Sequence, residues 1–182
     1  SLLGEIPAKI LNMGEHQAEE ALLWWKNTFG PDFYLELMRH GLETENYVNK
    51  VLLDFSQKHD VKVIATNDVY FSKSEDAEAQ DILICVKEGV NVSTPKGRGR
   101  GFRRGLENDQ YYFKTQDEMK ALFADIPQAI VNIQEIVDKV ETYALKRDVL
   151  LPKFVIPDAF LNPEDELDNG VRGQGAYLRH LT

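Results

Sequence analysis

The chain of 182 residues contains one cysteine, Cys85. A single thiol excludes an internal disulfide and a thiolate zinc cluster, and it makes the cytoplasm the default compartment. No apolar run approaches the roughly 20 residues needed to cross a hydrocarbon core, and no charged-then-apolar leader opens the chain, so no membrane role is expected. Internal repeats are lacking, and the only compositionally biased tract is a short Gly/Arg loop. Cys85 lies in a helical pattern beside Ile82, Leu83, Ile84 and Val86 and reads as a small buried hydrophobe.

What is present has the texture of a folded domain: 43% hydrophobic and 28% charged residues. The length suits one domain, or one plus part of another. The chain starts at Ser1 rather than Met, and a helical pattern, "AYLRHLT", reaches its last residue, so a piece of a longer protein is expected. The net charge is −9, yet residues 91–105 carry Lys96, Arg98, Arg100, Arg103 and Arg104 with no acid among them. That balance argues against a body that binds polyanions generally and leaves one basic loop able to touch phosphate.

Apolar residues at Ala18, Ala21, Leu22, Trp25 and Phe29 predict an amphipathic helix ended by Gly30-Pro31, with Trp24 off the stripe. "FYLELMR", 33–39, alternates like a strand. Thr44 is placed to cap a helix with Val48, Val51, Leu52 and Phe55 inside, and "VKVIAT" follows as a second strand. Strand, helix and strand over 33–67 predict a right-handed parallel βαβ unit. Ser72 and Glu75 have capping-box spacing before a helix presenting Ala79, Ile82, Leu83 and Val86, with Gly89 past its end. Residues 90–110 read as a surface insert without a core face. "YYFK" suits a short extended segment. Thr115 and Glu118 repeat the capping-box spacing before Met119, Leu122 and Phe123. A second helix with Pro127 in its first turn carries an Ile130, Ile133, Ile136, Val137 and Val140 stripe. Pro152, Pro157 and Pro163 mark a linker.

Parallel strands place their C-terminal ends on one sheet edge, where ligands and catalytic groups collect in α/β folds. His40 follows the first strand and Asp68 the second. An imidazole and a carboxylate brought together there could share a divalent metal, or the carboxylate could orient the imidazole as an acid/base; a solvated turn is the plainer reading. Glu36 shares strand parity with His40 as a third group. His16, His59 and His180 read as structural or surface residues. The acidic run Glu75, Asp76, Glu78 and Asp81 reads as a solvated face with its first two members meeting the helix dipole. The arginines of the loop, with Phe102 for stacking, could grip a nucleic-acid backbone or simply solubilise the surface.

"FYLELMRHG", "VKVIATNDVYFSKSEDAEAQDILICV", "MKALFADIPQAIVNIQEIVDKV" and "LLPKF", in that order, resemble the alpha subunits of bacterial replicative DNA polymerase III, C-family DNA polymerases. The similarity falls in the latter half of their PHP (polymerase and histidinol phosphatase) domain. The resemblance implies an α/β fold: a partial irregular β/α barrel with parallel strands and crossover helices, then a helical pair and a Pro-rich extended linker. Residues 1–148 would be the C-terminal half of the PHP domain, and 149–182 the linker and start of the palm region.

The resemblance further implies a parent with template-directed DNA polymerase (nucleotidyltransferase) activity. Its palm carboxylates would hold Mg2+ downstream of Thr182, and the "HxH" start of the PHP domain would lie upstream of Ser1, so no catalytic residue of the polymerase is expected in this piece. Implied partners are primer-template DNA, deoxynucleotides and other holoenzyme subunits, including the proofreading exonuclease and sliding clamp. Asp68 matches a metal position, His40 matches the histidine of an "RHG" segment, and Tyr70 replaces a ligand histidine, so a PHP-site Zn2+ or Mn2+ is reduced to a residual pair. Gln80, where relatives commonly have histidine, is a second departure. The alternative function is a metal-dependent phosphoesterase or 3′–5′ exonuclease.

Overall fold

Leu35 and Leu37 point into the core while Glu36 between them points to solvent, the alternation that a half-buried strand requires. In the computed structural model they form β1, Leu35–Leu37, which pairs in parallel with β2, Val63–Ala65. The crossover is α3, Glu43–His59, whose inner face is Val48, Val51, Leu52 and Phe55. Asp60 ends it in the left-handed region at φ 49°, and the chain turns directly into β2. The expected parallel βαβ unit is therefore present, with strands shorter than the sequence pattern suggested. Thr44 sits inside the first turn of α3 and makes no cap, because the helix starts two residues earlier than a Thr44 cap would allow, after Leu42.

The structure describes residues 2–143, 146, 155–161 and 171–182, in two compact units, Ser1–Glu141 and Thr142–Thr182. The first unit opens with α1, Glu5–Asn12, an element the sequence pattern left unassigned, and α2, Glu15–Phe29. Ile6 and Ile10 of α1 meet Ala18, Ala21 and Leu22 of α2 in the same core as β1, β2 and α3. Trp25 donates its indole N–H to Glu5 Oε2 at 2.8 Å, and Trp24 is exposed, off the core stripe as expected.

Past β2, Asp76 accepts from the Lys73 backbone N–H at 3.1 Å and opens α4, Ala77–Glu88. That bond closes the 3-10 turn Ser74–Asp76 ahead of the helix; α4 itself has no side-chain cap, so the box expected of Ser72 and Glu75 does not form. Gly89 closes α4 at φ 64°, a conformation that a side chain disfavours. Cys85 is buried, but Ile82, Leu83 and Val86 are exposed, which corrects the expected inner face. Periodicity marks a face that could be covered; among the described residues only Cys85 of α4 reaches full burial.

Thr115 and Glu118 make the reciprocal box that starts α5, Gln116–Leu122: Glu118 N–H donates to Thr115 Oγ1 at 3.3 Å and Thr115 N–H to Glu118 Oε2 at 2.7 Å. Pro127 begins α6, Pro127–Lys139, against β2. Its stripe is shallower than expected: Ala129 is buried, Ile130, Ile133 and Ile136 are half-buried, and Val137 and Val140 are exposed. The deepest side chain of this corner is Phe123, fully buried just after α5.

In the second unit a short turn at Asp158–Phe160 sets Phe160 against Tyr177 and His180 of α7, Val171–Leu181. This is the helix expected from "AYLRHLT". Most of the Pro-rich linker, including "LLPKF", lies outside the described residues. The described residues thus form a mixed α/β structure of a two-stranded parallel sheet and seven α-helices, none long and apolar enough to cross a membrane.

Candidate functional site

The register pairs Leu37 with Ala65. His40 and Asp68 each lie three residues beyond that pair, so equal lengths of chain carry them off the same sheet edge. The structure does not join them directly. Instead, Tyr70 N–H donates to the Tyr111 carbonyl at 2.9 Å and Phe113 N–H to the Phe71 carbonyl at 3.0 Å, so the "YYFK" segment pairs alongside residues 70–71 beyond β2. Asn67 fastens this junction by donating from Nδ2 to the Tyr112 carbonyl at 2.7 Å. The Tyr111 ring is thereby laid on His40, with centroids 4.2 Å apart and planes 10° apart. Tyr70 meets the same ring edge-on at 6.0 Å.

His40 is 1% exposed. Glu45, in the first turn of α3, binds it twice: Oε2 accepts from the backbone N–H at 2.6 Å, and Oε1 accepts from Nδ1 at 2.7 Å. An ionised carboxylate only accepts, so the ring proton is on Nδ1. The Nε2 atom is then the one buried side-chain polar atom without a partner among the described residues. Two amides fix the backbone around it: Asn49 Nδ2 donates to the Met38 carbonyl at 2.8 Å and Asn108 Nδ2 to the His40 carbonyl at 2.7 Å. Neighbouring Arg39 turns the other way, forking onto Asp125 at 2.6 and 2.8 Å, donating to the Leu122 carbonyl at 2.7 Å and lying over the Phe123 ring.

The electrostatics keep both phenols neutral. Burial pushes the Tyr111 hydroxyl up to about 12, and the negative charges of Glu45, Glu107 and Asp68 add to it. The charge of Asp68 raises Tyr70 as well, helped by partial burial and a hydrogen bond to that carboxylate. Glu45 has the opposite balance: burial raises it, but the hydrogen bonds from His40 outweigh burial and hold it below the ordinary range. Lys114, buried nearby, is lowered by burial against the pull of Glu118, Asp109 and Glu45.

Asp68 and Tyr70 are exposed at the rim, while His40 lies beneath Tyr111. Among the described residues no group of three or more His, Cys, Asp or Glu side chains is placed to hold a metal ion. Glu36 accepts from Thr66 Oγ1 at 2.8 Å rather than facing His40. The remaining histidines keep structural surroundings: His16 is exposed near Glu20, His59 pairs with Glu19, and His180 packs on Phe160. Glu45 and Tyr111 were not singled out from sequence. Glu45 had a signal, since a carboxylate in the third position of a helix reaches back to the residues before it; Tyr111 had none, since its placement is tertiary.

The loop bearing the basic cluster is built, not structureless. Arg103 is buried and forks onto Asp81 of α4 at 2.8 and 2.7 Å, and its Nε donates to the Thr94 carbonyl at 2.8 Å. Lys96 Nζ also reaches Asp81, at 3.0 Å. Arg103 accordingly leaves the set of exposed arginines, and Asp81 leaves the solvated acidic face. Phe102 lies on Gly97, where an added Cβ would meet its ring at 2.5 Å.

A parallel strand pair with an imidazole and a carboxylate off one edge, set in a mostly helical surround, defines an α/β protein of the kind that collects ligands at strand C-termini. No family model matches the chain. It is 36% identical to the DNA polymerase III subunit alpha of Borreliella burgdorferi over 180 residues, which are 98% of this chain and 14% of that protein. It is 36% identical to that of Caulobacter vibrioides over 163 residues, 90% of this chain and 14% of the relative. With that of Treponema pallidum it shares 29% over 181 residues, 99% of this chain and 14% of the relative. Along nearly its whole length the chain is similar to DNA polymerase III alpha subunits, and it spans about 14% of the length of these curated relatives.

Proposed function

We propose that this chain is the latter half of a PHP-like domain, residues 1–148, with the passage toward the palm, 149–182, of a replicative DNA polymerase alpha subunit. There it serves as a scaffold. The observation that carries the reading is the similarity to subunits of that name along 98% of the chain. The parallel βαβ unit is consistent with part of an irregular β/α barrel. The whole subunit, on this reading, extends a primer with deoxynucleotides on a template in the cytoplasm, using Mg2+ at carboxylates outside this chain. Its partners are primer-template DNA, the proofreading exonuclease and the sliding clamp.

A PHP-type Zn2+ or Mn2+ does not fit the residues present. A neutral phenol is a poor ligand for a divalent cation, and Tyr70 is kept neutral by Asp68. Tyr111 is stacked on His40 and edge-on to Tyr70, and His40 is buried while Asp68 is exposed. The site therefore supports a packed junction, in which Glu45, His40 and Tyr111 tie α3, the end of β1 and the 111–113 segment together.

One observation favours the second reading, a metal-dependent phosphoesterase or 3′–5′ exonuclease. His40 has a carboxylate on Nδ1 and an unpartnered Nε2, the arrangement that orients a metal-binding imidazole. Primer extension and 3′–5′ exonuclease assays on the full-length subunit separate the two. The scaffold reading expects primer extension that is retained in the Asp68→Ala variant. Absence of primer extension by the wild-type subunit would overturn the polymerase assignment, and nuclease activity lost with Asp68→Ala would establish the second reading.

A further inference from the structure

All three side-chain nitrogens of Arg103 donate inward. Its fork is on Asp81, Nε is on the Thr94 carbonyl, and Nη1 also reaches the Arg104 carbonyl at 3.2 Å. The backbone closes the same loop, since Arg103 N–H donates to the Pro95 carbonyl and Gly97 N–H to the Arg103 carbonyl, both at 3.0 Å. Lys96 Nζ adds a bond to the Leu106 carbonyl at 3.2 Å, and the Phe102 ring covers Gly97. Gly99 and Gly101 take φ of 92° and 89°, values open to glycine, and so carry the chain around its tip.

Holding the loop in this way leaves Arg98, Arg100 and Arg104 exposed. Arg98 and Arg100 have no acidic partner among the described residues, and Arg104 has only Glu88 at 3.7 Å with its own side chain 86% exposed. Three guanidinium groups are thus presented on a braced loop of a chain whose net charge is −9. Bracing removes much of the ordering cost that a flexible Gly/Arg tract would meet on binding. The acidic remainder of the surface repels polyanions, which confines any such contact to the loop. The Phe102 ring lies on Gly97 and is 51% exposed; with three exposed guanidinium groups to one ring, the loop's chemistry favours backbone phosphate over base stacking.

We infer that the braced loop 95–105 is a sequence-independent contact for the phosphodiester backbone of duplex DNA, made by Arg98, Arg100 and Arg104, with Arg103, Lys96 and Asp81 as positioning residues. The choice of DNA as the polyanion rests on the polymerase reading above. The test is binding of a fluorescent primer-template duplex to the full-length subunit over a salt series. The Arg98→Gln, Arg100→Gln, Arg104→Gln triple variant removes exposed groups only. It should lower the slope of log affinity against log salt by about 2 to 3 and weaken binding about tenfold or more at moderate salt. An unchanged slope overturns the inference, as does an unchanged slope accompanied by loss of an acidic protein subunit in co-purification. A wild-type subunit that does not bind primer-template would instead remove the polymerase reading on which the choice of DNA rests.

Discussion

Glu45 grips His40 through both carboxylate oxygens, one on the backbone N–H at 2.6 Å and one on Nδ1 at 2.7 Å. The pair joins the first turn of α3 to the end of β1 inside the protein, where water cannot replace a lost bond. Glu45→Ala is expected to lower the unfolding free energy by about 3 kcal/mol, because two buried donors lose their acceptor. Urea denaturation at neutral pH reads this. The carboxyl is held below its unfolded value of 4.5, so its contribution is present above that pH and is lost as pH falls below it. Glu45→Gln should flatten that acid limb.

Tyr111 gives the opposite sign at the alkaline end. Its hydroxyl is raised from 10.0 to about 12 in the folded protein. The unfolded chain therefore loses the proton first, and stability present below pH 10 declines as pH rises through about 12. Tyr111→Phe keeps the ring on His40 and should remove this tyrosine's share of the decline. Tyr111→Ala should cost about 3 kcal/mol by opening a cavity over the imidazole. Urea midpoints collected at neutral and alkaline pH check both variants.

The Asp81–Arg103 clamp has a proteolytic signature. Asp81→Asn leaves the loop's arginines in place and removes the charge that holds Arg103. Trypsin should then cut at Arg98, Arg100 or Arg104 about tenfold faster, because cleavage requires the loop to open. In the wild type the Arg103 bond holds Asp81 down from 3.8 to about 2. The clamp's contribution to stability is thus full above pH 3.8 and is lost as pH falls through about 2.

Arg39 ties the end of β1 to the α5–α6 corner through Asp125, the Leu122 carbonyl and the Phe123 ring. A lysine keeps the charge but cannot make the planar fork. Arg39→Lys should cost about 1 kcal/mol in urea unfolding, and Arg39→Ala about 2 kcal/mol, as a partly buried charged hydrogen-bond group is removed.

The βαβ unit was legible because its signals are local: alternation in 33–39, one apolar helical face, and a second apolar run. Thr115 with Glu118, Pro127 and Gly89 were likewise readable from their own neighbourhoods. The placement of His40 and Asp68 at one edge followed from parallel pairing alone. What covers that edge did not, since Tyr111 arrives from 71 residues further along than His40 by way of backbone pairing with residues 70–71. Asp81 was misread as solvated because its partner, Arg103, lies across the loop. The α4 pattern showed that Ile82, Leu83 and Val86 are apolar, and could not show that they stand exposed.

The scaffold reading of the His40–Asp68 edge is tested most directly by metal analysis of the purified full-length subunit beside its Asp68→Ala variant, with primer extension measured on the same samples. The expected result is primer extension within about twofold in the two proteins, as for a surface substitution that leaves the fold unchanged, and no difference in bound divalent metal. Stoichiometric zinc or manganese in the wild type that disappears in Asp68→Ala, together with loss of 3′–5′ nuclease activity, would contradict it.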